Sequence, residues 1–143
     1  MIAVDTNILV YAHRTDSAHH EAALRRLREL SEGPARWAIP WPCLYEFLCV
    51  VTHPRLYRPP STPAAAMGAV TATVRSPSVV LLAETAESWD ALSRIVAVNG
   101  PRGPEVYDAR IAAICLTHGV RELWTTDDRF RGVAGLALRN PLS

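Results

Sequence analysis

Apolar residues along the chain come either as short unbroken runs or as stripes at helical spacing. Ile2 to Val4 form a brief run that stops at Asp5-Thr6-Asn7, the pattern of a buried strand that delivers polar groups at its end. Ile8 to His13 reads as a helical turn. From Ser17 a longer helix is expected, with Ala23, Leu24, Leu27 and Leu30 on one stripe and Glu21, Arg25, Arg26, Arg28 and Glu29 facing away, ended by Gly33-Pro34. Trp37 to Ile39 is a second strand. Pro42 is an early residue of the helix that carries Leu44, Glu46, Phe47, Leu48, Val50 and Val51, and His53-Pro54 ends it. Tyr57 to Pro63 reads as loop, Ala64 to Val74 as helix, Val79 to Leu82 as a buried strand, and Glu87 to Val98 as helix. The Asn99 to Pro104 loop leads into a helix over Glu105 to His118 that Gly119 terminates. Leu123 to Thr125 and Leu136 to Leu138 are the last strands. Short apolar strands alternating with helices predict an α/β fold with a mainly parallel sheet covered on both faces, because parallel strands need crossover connections.

Neither an internal repeat nor a linker divides the pattern, so residues 1–143 are expected to form a single domain. The charge balance of +1 excludes binding to nucleic acid by bulk charge, and any such contact must be local. All 15 basic residues are arginine. A P-loop lysine or a Schiff-base lysine is therefore excluded, and phosphate handling falls to arginine, metal or backbone N–H groups. Cys43, Cys49 and Cys115 have no pairing pattern and are expected to be buried thiols in a reducing compartment. No signal segment or bilayer-length apolar run is visible, which predicts a cytoplasmic protein with no membrane contact.

Carboxylates are costly to bury without a partner, which singles out four of them. Asp5 and Asp127 each follow an apolar strand, and ligand sites of open parallel sheets lie at strand carboxyl ends. Glu46 is the only charged residue between Trp37 and Val51. Asp108 precedes Ile111, Ala112 and Cys115 by three, four and seven residues and shares their inward face. Two like charges ~4 Å apart repel by about 4 kcal/mol even at an effective dielectric of 20, so a cation is expected between them. A hard divalent ion, Mg²⁺ or Mn²⁺, suits oxygen donors, with Asp5, Asp108 and Asp127 as ligands and Glu46 bound directly or through water. Such a centre hydrolyses phosphodiesters. Thr6, Asn7, Thr125 and Thr126 add neutral oxygens beside the acids. Asp128 adjoins Asp127, and Arg14, Arg102, Arg129 and Arg131 are the candidate phosphate contacts.

Each acid also has an ordinary role. Asp5, Asn7, Asp127 or Asp128 would cap a helix or turn, Asp108 would favour a helix amino terminus, and Glu46 would bond backbone. All four doing so in one small domain is the poorer explanation. A zinc site at His13, Asp16, His19 and His20 is disfavoured, since adjacent histidines diverge. His53 and His118 sit near helix carboxyl ends, where the dipole favours them. The four tryptophans are expected in the core rather than as RNA-stacking platforms.

Taken in order, Asp5-Thr6-Asn7 after Met-Ile-Ala-Val, Glu46 in Tyr-Glu-Phe-Leu, Tyr107-Asp108-Ala109-Arg110-Ile111-Ala112-Ala113 and Thr125-Thr126-Asp127 resemble the motifs of the PIN-domain family, especially the VapC toxins of toxin–antitoxin systems. Thr-His-Pro-Arg at residues 52–55 and Arg-Asn-Pro-Leu at 139–142 resemble a VapC subgroup. The resemblance implies a three-layer α/β/α sandwich, Mg²⁺- or Mn²⁺-dependent endoribonuclease activity, a homodimer, and a cognate VapB-like antitoxin that wraps the toxin. Relatives often carry a further Asp two residues after the fourth acid. Here that position is Arg129 and Asp128 precedes it, which leaves open whether Asp128 is a ligand and whether one or two metals bind. The alternative from another class is a catalytically inactive PIN-fold binding protein acting through protein or RNA partners. Aspartyl-phosphate phosphotransferases and receiver domains are disfavoured by the missing lysine.

Overall fold

A computed structural model describes all 143 residues. The chain runs β1 (Ile2–Val4), α1 (Thr6–His13), α2 (His20–Glu32), β2 (Trp37–Pro40), α3 (Trp41–Val51), α4 (Pro63–Val74), β3 (Val79–Leu82), α5 (Ala86–Asn99), α6 (Glu105–Thr117), β4 (Glu122–Trp124) and β5 (Ala137–Arg139). The five strands form one sheet in the order β3-β2-β1-β4-β5, with every neighbouring pair parallel. In register, Ile2 faces Trp37 on one side and Glu122 on the other.

The layers follow from handedness. The steps β1 to β2 and β2 to β3 move one way across the sheet, and the return from β3 to β4 moves the other way. Right-handed crossovers therefore put α1–α4 on one face and α5–α6 on the opposite face. Packing agrees, since α1 contacts α2 and α3, α3 contacts α4, and α5 contacts α6. The expected three-layer α/β/α sandwich is the observed fold. Adjacent strands β1 and β4 mark the place where the direction of travel reverses. A crevice opens there at the strand carboxyl ends.

Ala3, Val4, Ala38, Ile39 and Leu123 are fully buried in the sheet, with Ile8, Val51, Ala112 and Ile114 packed from the helices on either side. Gly119 follows α6 in the left-handed region at φ +75°, the conformation that lets the chain leave the helix toward β4.

Several expectations are corrected. Helix α2 starts at His20 rather than Ser17, because the Ser17 hydroxyl accepts from the His19 N–H and its carbonyl from the His20 N–H, closing a turn first. Strand β4 ends at Trp124, which frees Thr125 for the site, and β5 begins at Ala137. β3 is only partly buried. Cys49 is exposed, unlike Cys43 and Cys115. Trp37 and Trp124 lie in the core, but Trp41 and Trp89 are 38% and 69% exposed. The histidine group already disfavoured as a zinc site does separate: His13 meets Ser61 and His20 meets the Tyr11 carbonyl. His53 accepts from the Arg55 N–H within its turn, while His118 donates to the Ala83 carbonyl.

Candidate active site

The crevice between β1 and β4 is where the acids gather. Asp5 leaves β1 with extended backbone and caps α1, so its role as a helix cap is real. Its Oδ1 accepts from the Thr6 N–H at 2.8 Å and meets the Cys43 thiol at 3.7 Å, while Oδ2 accepts from the Thr125 hydroxyl at 2.8 Å. The residue is 5% exposed. Burial pushes its pKa up, the hydrogen bonds from Thr125, Thr6 and Cys43 oppose that, and the charge of Asp127 adds to the rise.

Thr125 is the centre of the network. Besides donating to Asp5, its hydroxyl accepts from the Asn7 side-chain amide at 3.3 Å and from the Asp127 N–H at 3.1 Å. The Asn7 carbonyl oxygen accepts from the Thr126 N–H at 3.2 Å, so Asn7 ties α1 to the loop that follows β4. One short loop is thereby clamped against the first helix, and Asp127 is carried into position. Asp127 in turn accepts from the Arg129 backbone N–H at 2.9 Å and from its Nε at 3.3 Å.

From the opposite faces of the sheet come the other two acids. Glu46 on α3 accepts from the Thr6 hydroxyl at 3.0 Å. It is exposed on the open side of its helix rather than buried, so the apolar faces of α3 never forced it inside. Loss of water nevertheless raises its pKa, with Thr6 opposing and the charges of Asp5 and Asp127 adding. Asp108 on α6 is raised to about 6 by burial and then by the charges of Asp5, Asp127 and Glu46, against which only Arg129 works. All of these influences are lost hydration or charge. No hydrogen bond contributes.

Glu46, Asp108 and Asp127 line an open groove of about 830 Å³, walled also by Tyr45, Tyr107 and Arg110, with Asp5 buried beneath. The four acids sense one another's charge, yet no three His, Cys, Asp or Glu side chains stand as a closed ligand shell. The donor chemistry fits a hard cation: oxygen-only ligands, mutual repulsion, and one carboxylate without a hydrogen bond.

The arginines divide. Arg129 lines the groove, and Arg131 pairs with Glu105 at its margin at 3.6 Å. Arg102 is exposed, and its backbone N–H donates to Glu105. Arg14 does not reach the site: it is bound to Asp16, Ser61 and the Pro59 carbonyl at the far end of α1. Asp128 is exposed and outside the groove lining. Sequence reasoning missed Thr125 as the hub, Cys43 as a donor to Asp5, and Arg110, although Arg110 is the only basic residue of α6.

A PIN domain family model matches residues 2–136. Ribonuclease VapC48 of Mycobacterium tuberculosis is 31% identical over 139 residues, covering 97% of this chain and 96% of that protein. Ribonuclease VapC43 of the same species is 32% identical over 143 residues, covering 99% and 96%. Among solved structures, VapBC2 from Rickettsia felis bound to a promoter DNA fragment superposes with a TM-score of 0.70 at 18% identity, covering 97% of this chain and 98% of that one. Mycobacterium tuberculosis VapC20, a sarcin-ricin loop cleaving toxin, superposes with a TM-score of 0.66 at 21% identity, covering 91% and 92%.

Proposed function

Because the chain belongs to the PIN-domain family, among the VapC ribonucleases, we propose that it is the endoribonuclease toxin of a toxin–antitoxin pair, hydrolysing RNA phosphodiester bonds at the crevice between β1 and β4. The observation that carries this is the convergence of four carboxylates on one groove at the strand carboxyl ends, where lost hydration and then the neighbouring charges raise Asp108 to about 6. Asp5, Asp108 and Asp127 would hold Mg²⁺ or Mn²⁺, and Glu46 would bind directly or through water. When bound, the ion supplies an activated water and charge stabilisation at the scissile phosphate. Glu46, open to the groove and hydrogen-bonded to Thr6, would take up a proton on its carboxylate. Thr125, Asn7 and Thr6 hold the acids in position, with Thr126 fixed by its backbone N–H. Arg129, tethered beside Asp127 with its side chain 89% exposed, would meet the substrate phosphate.

VapBC2 of Rickettsia felis is among the solved structures that share this fold, and a VapB-like antitoxin and a homodimer are the partners proposed here. Residues 1–143 act as one nuclease domain. No helix is long and apolar enough to cross a membrane, and a cytoplasmic setting agrees with three unpaired cysteines. The test is cleavage of total cellular RNA by the purified protein with Mg²⁺, Mn²⁺ or EDTA, beside Asp108→Asn. Discrete metal-dependent fragments absent from the variant support the nuclease. Identical patterns from both proteins refute it.

A further inference from the structure

The groove does not end at the acids. Tyr45 and Arg110 line both the acidic groove and an adjoining hollow of about 320 Å³, which Trp41 also lines. Trp41 and Tyr45 stand one turn apart on α3 with ring centroids 6.4 Å apart and planes tilted by 35°. Tyr45 is 67% exposed and Trp41 38%. Arg110 is held beside them by an ion pair with Glu84. Large aromatic rings left in water at the mouth of an active-site groove need an account, and neither core packing nor the acid network supplies one.

We infer that Tyr45 and Trp41 form a stacking track for unpaired RNA bases next to the cleaved phosphate, with the Arg110 guanidinium beside the track to meet the backbone. The inference rests on the ribonuclease reading and adds a binding determinant to it. Continuity favours RNA over another occupant. A nucleotide adjacent to the one at the acids must lie along the groove walls, and the wall that continues away from Glu46 is Tyr45 followed by Trp41. Any base offers a π-face to such rings, so the track selects unpaired strand rather than sequence. A stacked base within a duplex cannot use it.

The experiment uses the full chain carrying Asp108→Asn, so that RNA survives. A labelled unstructured RNA oligomer and a blunt RNA duplex of equal length are titrated by fluorescence anisotropy. The expected result is tighter binding of the single strand, a rise in its Kd of about tenfold with Tyr45→Ala and further with Trp41→Ala added, and retention of affinity in Tyr45→Phe. Quenching of tryptophan fluorescence on binding is expected to be lost in Trp41→Phe. In the cleaving protein, Tyr45→Ala should raise KM and leave kcat nearly unchanged. Both side chains are exposed, so folding should survive, and the quenching arm with its conservative Trp41→Phe variant stands even where an alanine variant misfolds. Unchanged RNA affinity in the Trp41→Ala/Tyr45→Ala protein overturns the inference, as does loss of self-association or of antitoxin binding with RNA affinity retained, which would give this face to a protein partner. Absence of any cleavage by the parent protein would instead defeat the ribonuclease reading itself.

Discussion

Helix α1 is only eight residues long and has a charged residue at each end, Asp5 at the N-cap and Arg14 at the C-cap. The two ends are built on opposite electrostatic rules. At the carboxyl end, Arg14 meets Asp16 through two nitrogens at 2.9 and 2.7 Å, donates to the Pro59 carbonyl at 2.9 Å and to Ser61 at 3.2 Å, and lies 4.5 Å over the Tyr57 ring. Each of the three guanidinium nitrogens has a partner inside the chain. At the amino end, four acids are brought together with Arg129 as the one cation that opposes the rise at Asp108, and lost hydration followed by mutual charge pushes the pKa values of Glu46 and Asp108 upward. A charge neutralised where it stands holds a structure together. A cluster left short of countercharge spends stability to keep a place for something that arrives from outside.

The largest expected effect lies at the crowded end. Asp5→Asn or Asp108→Asn should lower metal-dependent RNA cleavage by about 10³-fold while circular dichroism remains that of a folded protein. Activity within a few-fold of the parent would show that these charges are not the reacting centre. Thr125→Val keeps the shape of the hub and removes its hydrogen bonds to Asp5, Asn7 and Asp127. A loss of about 10- to 100-fold in cleavage or Mn²⁺ affinity is expected, as for other residues that orient ligands, and titration calorimetry reads the affinity directly. The same titration repeated across pH should show Mn²⁺ affinity falling as pH drops through about 6, because Asp108 takes up a proton there.

Smaller effects separate the two ends by stability instead. Arg14→Ala should lower the melting temperature by about 5 °C and leave kcat/KM for RNA unchanged. A loss of cleavage out of proportion to the loss of fold would return Arg14 to the site. Asp108→Asn should do the reverse and raise the metal-free melting temperature at pH 7.5 by about 2–4 °C. The sign follows from linkage: a folded pKa above the ordinary carboxyl value of 3.8 means that the folded state binds the proton more tightly, so its advantage is complete below that value and lost as pH rises through about 6. The gain from Asn should therefore shrink toward pH 4 in differential scanning fluorimetry. A gain that persists there would point to packing rather than charge.

Much of the fold was readable because its signals are local. Ile2 to Val4 and Trp37 to Ile39 are apolar runs too short for helices, Pro42 sits where a helix begins, and Gly119 sits where one ends. The four acids were also visible, since each interrupts an apolar stretch or follows one. Glu46 shows the limit of that reasoning. Its apolar neighbours predict burial, but the exposed side of α3 is the wall of a groove, and no periodicity distinguishes a groove from a core. Arg14 shows the same limit in reverse, near Asp5 in sequence and at the other end of a helix in space. Cys49 and Trp41 occupy apolar stretches for the same reason Tyr45 does, because one face of α3 lines the site.

By itself the sequence determined which segments are strands and helices, that the sheet is parallel, and that oxygen-ligand chemistry without lysine is available, since those follow from side-chain period and residue type. Only the tertiary structure decided that β1 and β4 are neighbours, that Thr125 joins Asp5, Asn7 and Asp127, and which arginines share their groove. The physical reason is range. Period and propensity act over one or two turns of chain, whereas the Thr125–Asp5 hydrogen bond closes a separation of 120 residues that only the crossover topology can bring together.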